Sequence, residues 1–76
     1  IDPHNPIAHN SLGSVLGKQG NFTKAITHFN TSLQVNPFYK EAHQNLGTAL
    51  AAIGLSEKSA FHFKIAKELA DHKIKR

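Results

Sequence analysis

The 76-residue chain has no cysteine, no methionine and no tryptophan. Without cysteine there is no disulfide framework, no thiolate metal ligand and no thiol nucleophile. That absence fits a reducing compartment, and with no targeting segment in view the cytoplasm is the default expectation. Without an initiator methionine, the chain reads as a piece of a longer protein whose upstream segments lie elsewhere. No apolar run approaches the ~20 residues needed to span a bilayer. Acidic residues are few and scattered, five against nine lysines and arginines, so no pair of carboxylates is set up for acid–base work. No glycine-rich phosphate loop follows a strand, because no strand pattern exists. The expectation is a non-enzymatic chain with no cofactor, no metal and no small-molecule substrate.

What is present is a repeat. Leu12-Gly13 returns as Leu46-Gly47, and the same 34-residue offset carries His9 to His43, Leu16 to Leu50 and Gly20 to Gly54. It also carries His28 to His62, Phe29 to Phe63 and Pro3 to Pro37. A fixed period shared by apolar, glycine and turn positions marks stacked supersecondary units, each too small to bury its own apolar face.

Within each unit the apolar residues recur at three- and four-residue spacing, the period of one helical face. Asn5-Pro6 reads as a cap followed by proline at the first helical position, where its missing N–H is harmless. The inward stripe of this first helix is Ala8, Leu12, Val15, Leu16. Gly20 ends it and Asn21 caps a second helix with Phe22, Ala25, Ile26, Phe29 and Leu33 inward. Asn36-Pro37 stops that helix, since the residue before proline is driven out of the helical region. A third helix is predicted from about Lys40 to Ile53, with Ala42, Leu46, Ala49 and Leu50 inward. Gly54 breaks it, and Ser56-Glu57 is expected to cap a fourth helix carrying Ala60, Phe63, Ala66 and Leu69 to about Ile74. Connections this short permit only antiparallel neighbours.

These residues resemble the tetratricopeptide repeat family, whose pattern is W-x2-L-G-x2-Y, then A-x3-F, then P. The first unit reads His9-x2-Leu12-Gly13-x2-Leu16, Ala25-x3-Phe29, Pro37. The second reads His43-x2-Leu46-Gly47-x2-Leu50, Ser59-x3-Phe63, with Asp71 at the proline position. The resemblance implies an all-α fold of four helices in antiparallel hairpins, stacked as a right-handed superhelix. Residues 1–5 would end a preceding repeat, 6–39 and 40–73 would be two repeats, and 74–76 a tail. Gly13 and Gly47 would let paired helices approach, with Ala25, Ser32, Ser59 and Ala66 as small surfaces facing them. Lys67 stands where the first unit has Leu33, so the fourth helix is expected to close the array. Two repeats are fewer than the roughly three that stand alone, which predicts marginal stability or self-association.

For function, the resemblance implies a protein-interaction or scaffold module that holds a peptide or helix in the concave groove lined by the first helix of each hairpin. The candidate groove residues are Asn10, Ser14, Lys18, Glu41, Gln44, Asn45, Thr48 and Ala52. Their carboxamides can both donate to and accept from an extended backbone, and Asn45 matches an asparagine that such grooves direct at ligand main chain. The basic set that clamps a C-terminal carboxylate is missing, since Asn10 and Ser14 occupy part of it. Gly17 costs ~1 kcal/mol relative to alanine within a helix; it either admits a ligand backbone or begins the fraying end, the simpler expectation. Phe61 and Ile65, one turn apart and off the core stripe, are candidates for self-association in a homo-oligomer.

Two other roles compete. Repeats of this family occur beside glycosyltransferase domains, so the chain could present substrate to a larger enzyme. The end of the chain is basic, with Lys58, Lys64, Lys67, Lys73, Lys75 and Arg76 against Glu57, Glu68 and Asp71. Such charge can attract RNA, but without an aromatic platform it reads more simply as a solvated helix end. Six histidines invite a metal, yet His9/His43 and His28/His62 form columns along the stack at ~8–10 Å spacing, too far apart to share zinc. A mild pH sensitivity is what remains of that idea. Asn21-Phe22-Thr23 and Asn30-Thr31-Ser32 fit the glycosylation sequon, a triplet that arises often by chance.

Overall fold

The computed structural model describes residues 3–74. Ile1, Asp2, Lys75 and Arg76 lie outside the described residues, and with them part of the expected lead-in and basic tail. Four helices follow in order: α1 Pro6–Lys18, α2 Phe22–Val35, α3 Lys40–Ala52 and α4 Ser56–Ile74. They form two antiparallel hairpins, α1/α2 and α3/α4, which meet chiefly where α3 packs on α2 and only lightly where α3 touches α1. The extents of 37 × 31 × 17 Å describe a slab two helices thick.

Local chemistry sets the boundaries. The Asn5 side chain accepts from the amides of Ile7 and Ala8, and Asn21 does the same for Lys24. Each hairpin turn is closed by a glycine in the left-handed region, Gly20 at φ 83° and Gly54 at φ 87°. The following amides, Asn21 and Leu55, bond back to the carbonyls of Leu16 and Leu50 at 2.9 Å. This left-handed helix ending satisfies carbonyls the helix would otherwise leave open. Asn36 is extended and its side chain accepts from the Phe38 amide, so the helix stops before Pro37. One boundary differs from expectation. Ser56 is the first helical residue, and the cap position belongs to Leu55, whose carbonyl takes the first helical bond from Ser59.

The core lies between α2 and α3: Ala25, Phe29, Leu46, Ala49 and Leu50 are buried together, with Leu16, Phe22, Ile26 and Leu33 packed against them. Gly13 is the reason α1 and α2 can meet there. A Cβ on it would stand 2.6 Å from the Phe29 ring, and one on Gly47 would stand 3.0 Å from Phe63. The expected small positions are all buried. Ser32 donates to the Pro6 carbonyl at 2.8 Å and Ser59 to that of Gly47 at 2.7 Å, so neither hydroxyl is stranded.

The expected inward stripes hold fully on α2 and α3 and only partly on the outer helices. Leu12 and Val15 of α1, and Ala60 and Phe63 of α4, are exposed. Their spacing is that of a buried face, but among the described residues no helix packs on those sides of the slab. No helix among the described residues is long and apolar enough to cross a membrane.

Candidate functional site

Four of the eight candidate groove residues come together. Ser14 and Lys18 of α1 and Asn45 and Thr48 of α3 line a cleft of about 230 Å³, with Gly17 at its side and Phe22, Phe29 and Ala49 beneath. The arrangement follows from helical periodicity: Ser14 and Lys18 are one turn apart on α1, and Asn45, Thr48 and Ala49 share a face of α3. Gly17 falls in the last turn of α1, and a Cβ there would meet nothing within 4 Å. Thr48 returns its hydroxyl to the Gln44 carbonyl. Glu41, Gln44 and Ala52 are exposed on α3 outside this cleft.

Asn10 is placed differently, buried at the α1–α3 contact. Its carbonyl oxygen accepts from Asn45 Nδ2 at 3.0 Å, and its own Nδ2 donates to the Tyr39 hydroxyl at 3.4 Å. This chain orients the Asn45 amide at the cleft. By inventory, Asn45 keeps a carbonyl oxygen and a second N–H for another partner. Tyr39 belongs to this arrangement too, although nothing in its sequence context indicated it.

The histidines form the feature that sequence reasoning missed. They pair within each hairpin: His9 Nδ1 lies 3.1 Å from His28 Nδ1, and His43 Nδ1 lies 3.1 Å from His62 Nδ1. The rings are near-parallel, with centroids 5.4 and 5.3 Å apart. Those separations exceed the nitrogen distances by about one ring diameter, so the rings meet edge to edge with their nitrogens head-on. The tautomers follow. His9 Nε2 donates to the Pro3 carbonyl at 3.1 Å and His43 Nε2 to that of Pro37 at 2.9 Å. A carbonyl can only accept, so each Nδ1 of His9 and His43 carries the lone pair, and His28 and His62 donate to it.

Histidine at the family's tryptophan-like position is thus a polar latch tying the turn before each repeat to both of its helices. The head-on geometry suits a shared proton and not a metal, since two bonds of ~2.0–2.1 Å along that line would need about 4 Å. Among the described residues no group of three or more His, Cys, Asp or Glu could hold a metal ion. His62 is held below the usual imidazole range, first by desolvation and then by the charge of His43 beside it.

Phe61 and Ile65 lie on the side of α4 that faces α2 and the turn after it. With Leu33, Pro37, His43 and His62 they line an open hollow of about 430 Å³, and Phe61 meets His62 edge-on.

A pair of stacked helical hairpins, repeating at a fixed offset around glycine-permitted helix contacts, defines the class: a short helical-repeat array. Residues 6–39 match the tetratricopeptide repeat family, and the second hairpin reproduces the helix order of the first. Such repeats are non-catalytic scaffolds for protein–protein interaction. The chain is also similar to the uncharacterized protein MJ0572 of Methanocaldococcus jannaschii, with 36% identity over 47 residues. That alignment covers 62% of this chain and 55% of the relative, so the chain spans about half the length of the relative it matches.

Proposed function

We propose that the cleft between α1 and α3 receives an extended peptide segment of a partner protein. The observation that carries this reading is the pairing of an apolar floor with an oriented carboxamide. Phe22, Phe29 and Ala49 offer dry surface to a side chain, while Asn45, steadied by Asn10, offers donor and acceptor to the peptide main chain. Lys18 at the rim favours an acidic or polar flank on the ligand. Gly17 leaves the wall low enough for backbone to approach.

The test is selection of peptides from a displayed library against the chain, followed by titration on Asn45→Ala and on the double variant Gly17→Leu/Lys18→Glu. No side chain packs against a Cβ at position 17, so the double variant keeps its fold. Selected peptides should lose about tenfold or more on each. Equal affinity for all three proteins would remove the reading.

A further inference from the structure

α2 and α4 both run antiparallel to α3, and among the described residues neither packs on the other. Between them lies an open trough. At one end Leu46 and Leu50 of α3 form its floor, with Ile26 of α2 and Phe61 of α4 on its walls, around a hollow of about 570 Å³. At the other end Ile65, Glu68 and Leu69 face Pro37 and Phe38 around a hollow of about 750 Å³. Floor and walls all belong to the two hairpins, so the trough is open whatever precedes or follows them along the stack. It shares no residue with the α1/α3 cleft. Phe61 is 60% exposed and Phe38 75% exposed, large apolar side chains that the fold itself leaves in water.

Along this trough α4 presents Lys58, Phe61, Ile65 and Glu68, at three- and four-residue steps that keep them on one side of the helix. Their order is symmetric about position 63, with Lys58 and Glu68 five residues to either side and Phe61 and Ile65 two. α2 brings only the uncharged polar groups of Thr23, Thr27, Asn30 and Gln34. Lys58 and Glu68 therefore set the charge of the trough, with His62 between them. We propose that two copies of the chain pair through this trough, their α4 helices antiparallel across a two-fold axis beside residue 63. A helix lying antiparallel on α4 needs an acid opposite Lys58, an aliphatic side chain opposite Phe61, an aromatic one opposite Ile65 and a base opposite Glu68. α4 itself carries that order, so the occupant the charges select is a second copy. A parallel pairing would set Lys58 against Lys58 and Glu68 against Glu68. Each Phe61 comes down over the second copy's Ile65, beside Leu33 and Pro37. Its burial supplies the attraction, and the charges fix the orientation. The contact is isologous, so assembly closes at two copies.

Sedimentation velocity from about 10 µM to about 1 mM should show the wild type in equilibrium between monomer and dimer, with nothing larger. Phe61→Ser should remain monomeric. Lys58→Glu and Glu68→Lys each set like charges at both ends of the contact, and each should weaken dimerisation about tenfold. Mixed in equal amounts, these two should recover it as a one-to-one heterodimer, because an acidic face then meets a basic one. The double variant Lys58→Glu/Glu68→Lys should recover it alone. All three positions are exposed, and far-UV circular dichroism checks that each variant stays helical. The proposal is overturned by a wild type that stays monomeric throughout, which would leave the trough to a different protein. It is equally overturned by a sedimentation coefficient that climbs past the dimer, by Phe61→Ser dimerising as the wild type does, or by a mixture that associates no better than either charge variant alone.

Discussion

Alanine at Gly13 would put a methyl carbon 2.6 Å from Phe29 Cε1 and 2.8 Å from Cδ1, far inside the ~3.5–4.0 Å at which carbons attract. Phe29 is enclosed by α1, α2 and α3 and only 3% exposed, so its ring has nowhere to turn. Overpacking of this kind costs ~1–3 kcal/mol. The substitution also brings ~1 kcal/mol of helix propensity. The net expectation is a loss of about 1 kcal/mol, rising to about 2 at the upper end. The same change at Gly47 meets the Phe63 ring at 3.0 Å, but that ring is 42% exposed and can swing toward solvent. Its steric cost falls to a few tenths of a kcal/mol, and the propensity gain wins. Two chemically identical substitutions at equivalent positions should therefore have opposite signs. Thermal melts followed by far-UV circular dichroism should separate the variants by roughly 6–20 °C, since they differ by about 1.5–2.7 kcal/mol and 1 kcal/mol moves a domain this size by about 4–8 °C. A Gly13→Ala protein at least as stable as the Gly47→Ala protein would refute the argument that burial of the opposing ring decides the outcome.

The phenylalanines themselves should follow the same asymmetry. Phe29→Ala is expected to cost ~3–5 kcal/mol, enough to unfold a marginal domain, and Phe63→Ala about half of that; urea titrations giving equal losses would contradict it. The His43–His62 pair predicts acid sensitivity. His62 has a folded pKa below its ordinary 6.5, so the unfolded chain binds more protons as the pH falls. The stability it contributes is complete above about pH 6.5 and is lost as the pH drops through the lower folded value. Melting temperature should decline from about pH 7.5 to about pH 5, with a shallower slope in His62→Gln. A wild-type melting temperature that rises on acidification would be inconsistent with the pairing.

The duplicated histidines show where linear reasoning ran short. A 34-residue offset relates His9 to His43, so the sequence invites comparison along the stack. The hydrogen bonds instead run across each hairpin, between residues 19 apart, a separation with no periodic meaning of its own. The same limit applies to Asn10. Its place on a helix face suggested a groove residue, and only the approach of α3 revealed that Asn45 and Tyr39 engage its amide. The cleft residues Ser14, Lys18, Asn45 and Thr48 were legible because their grouping needs only helical phase and the neighbouring of first helices.

Periodicity, caps and glycine turns act over distances of one helical turn, so the chain alone determined four helices, their boundaries to within a residue or two, and the register of the two repeats. Which face of an outer helix is dry depends on whether another helix lies against it, and that is a property of the assembled stack. Leu12 and Leu46 occupy the same place in the pattern, yet tertiary packing leaves one open to water and seals the other, because burial is decided by neighbours and not by spacing.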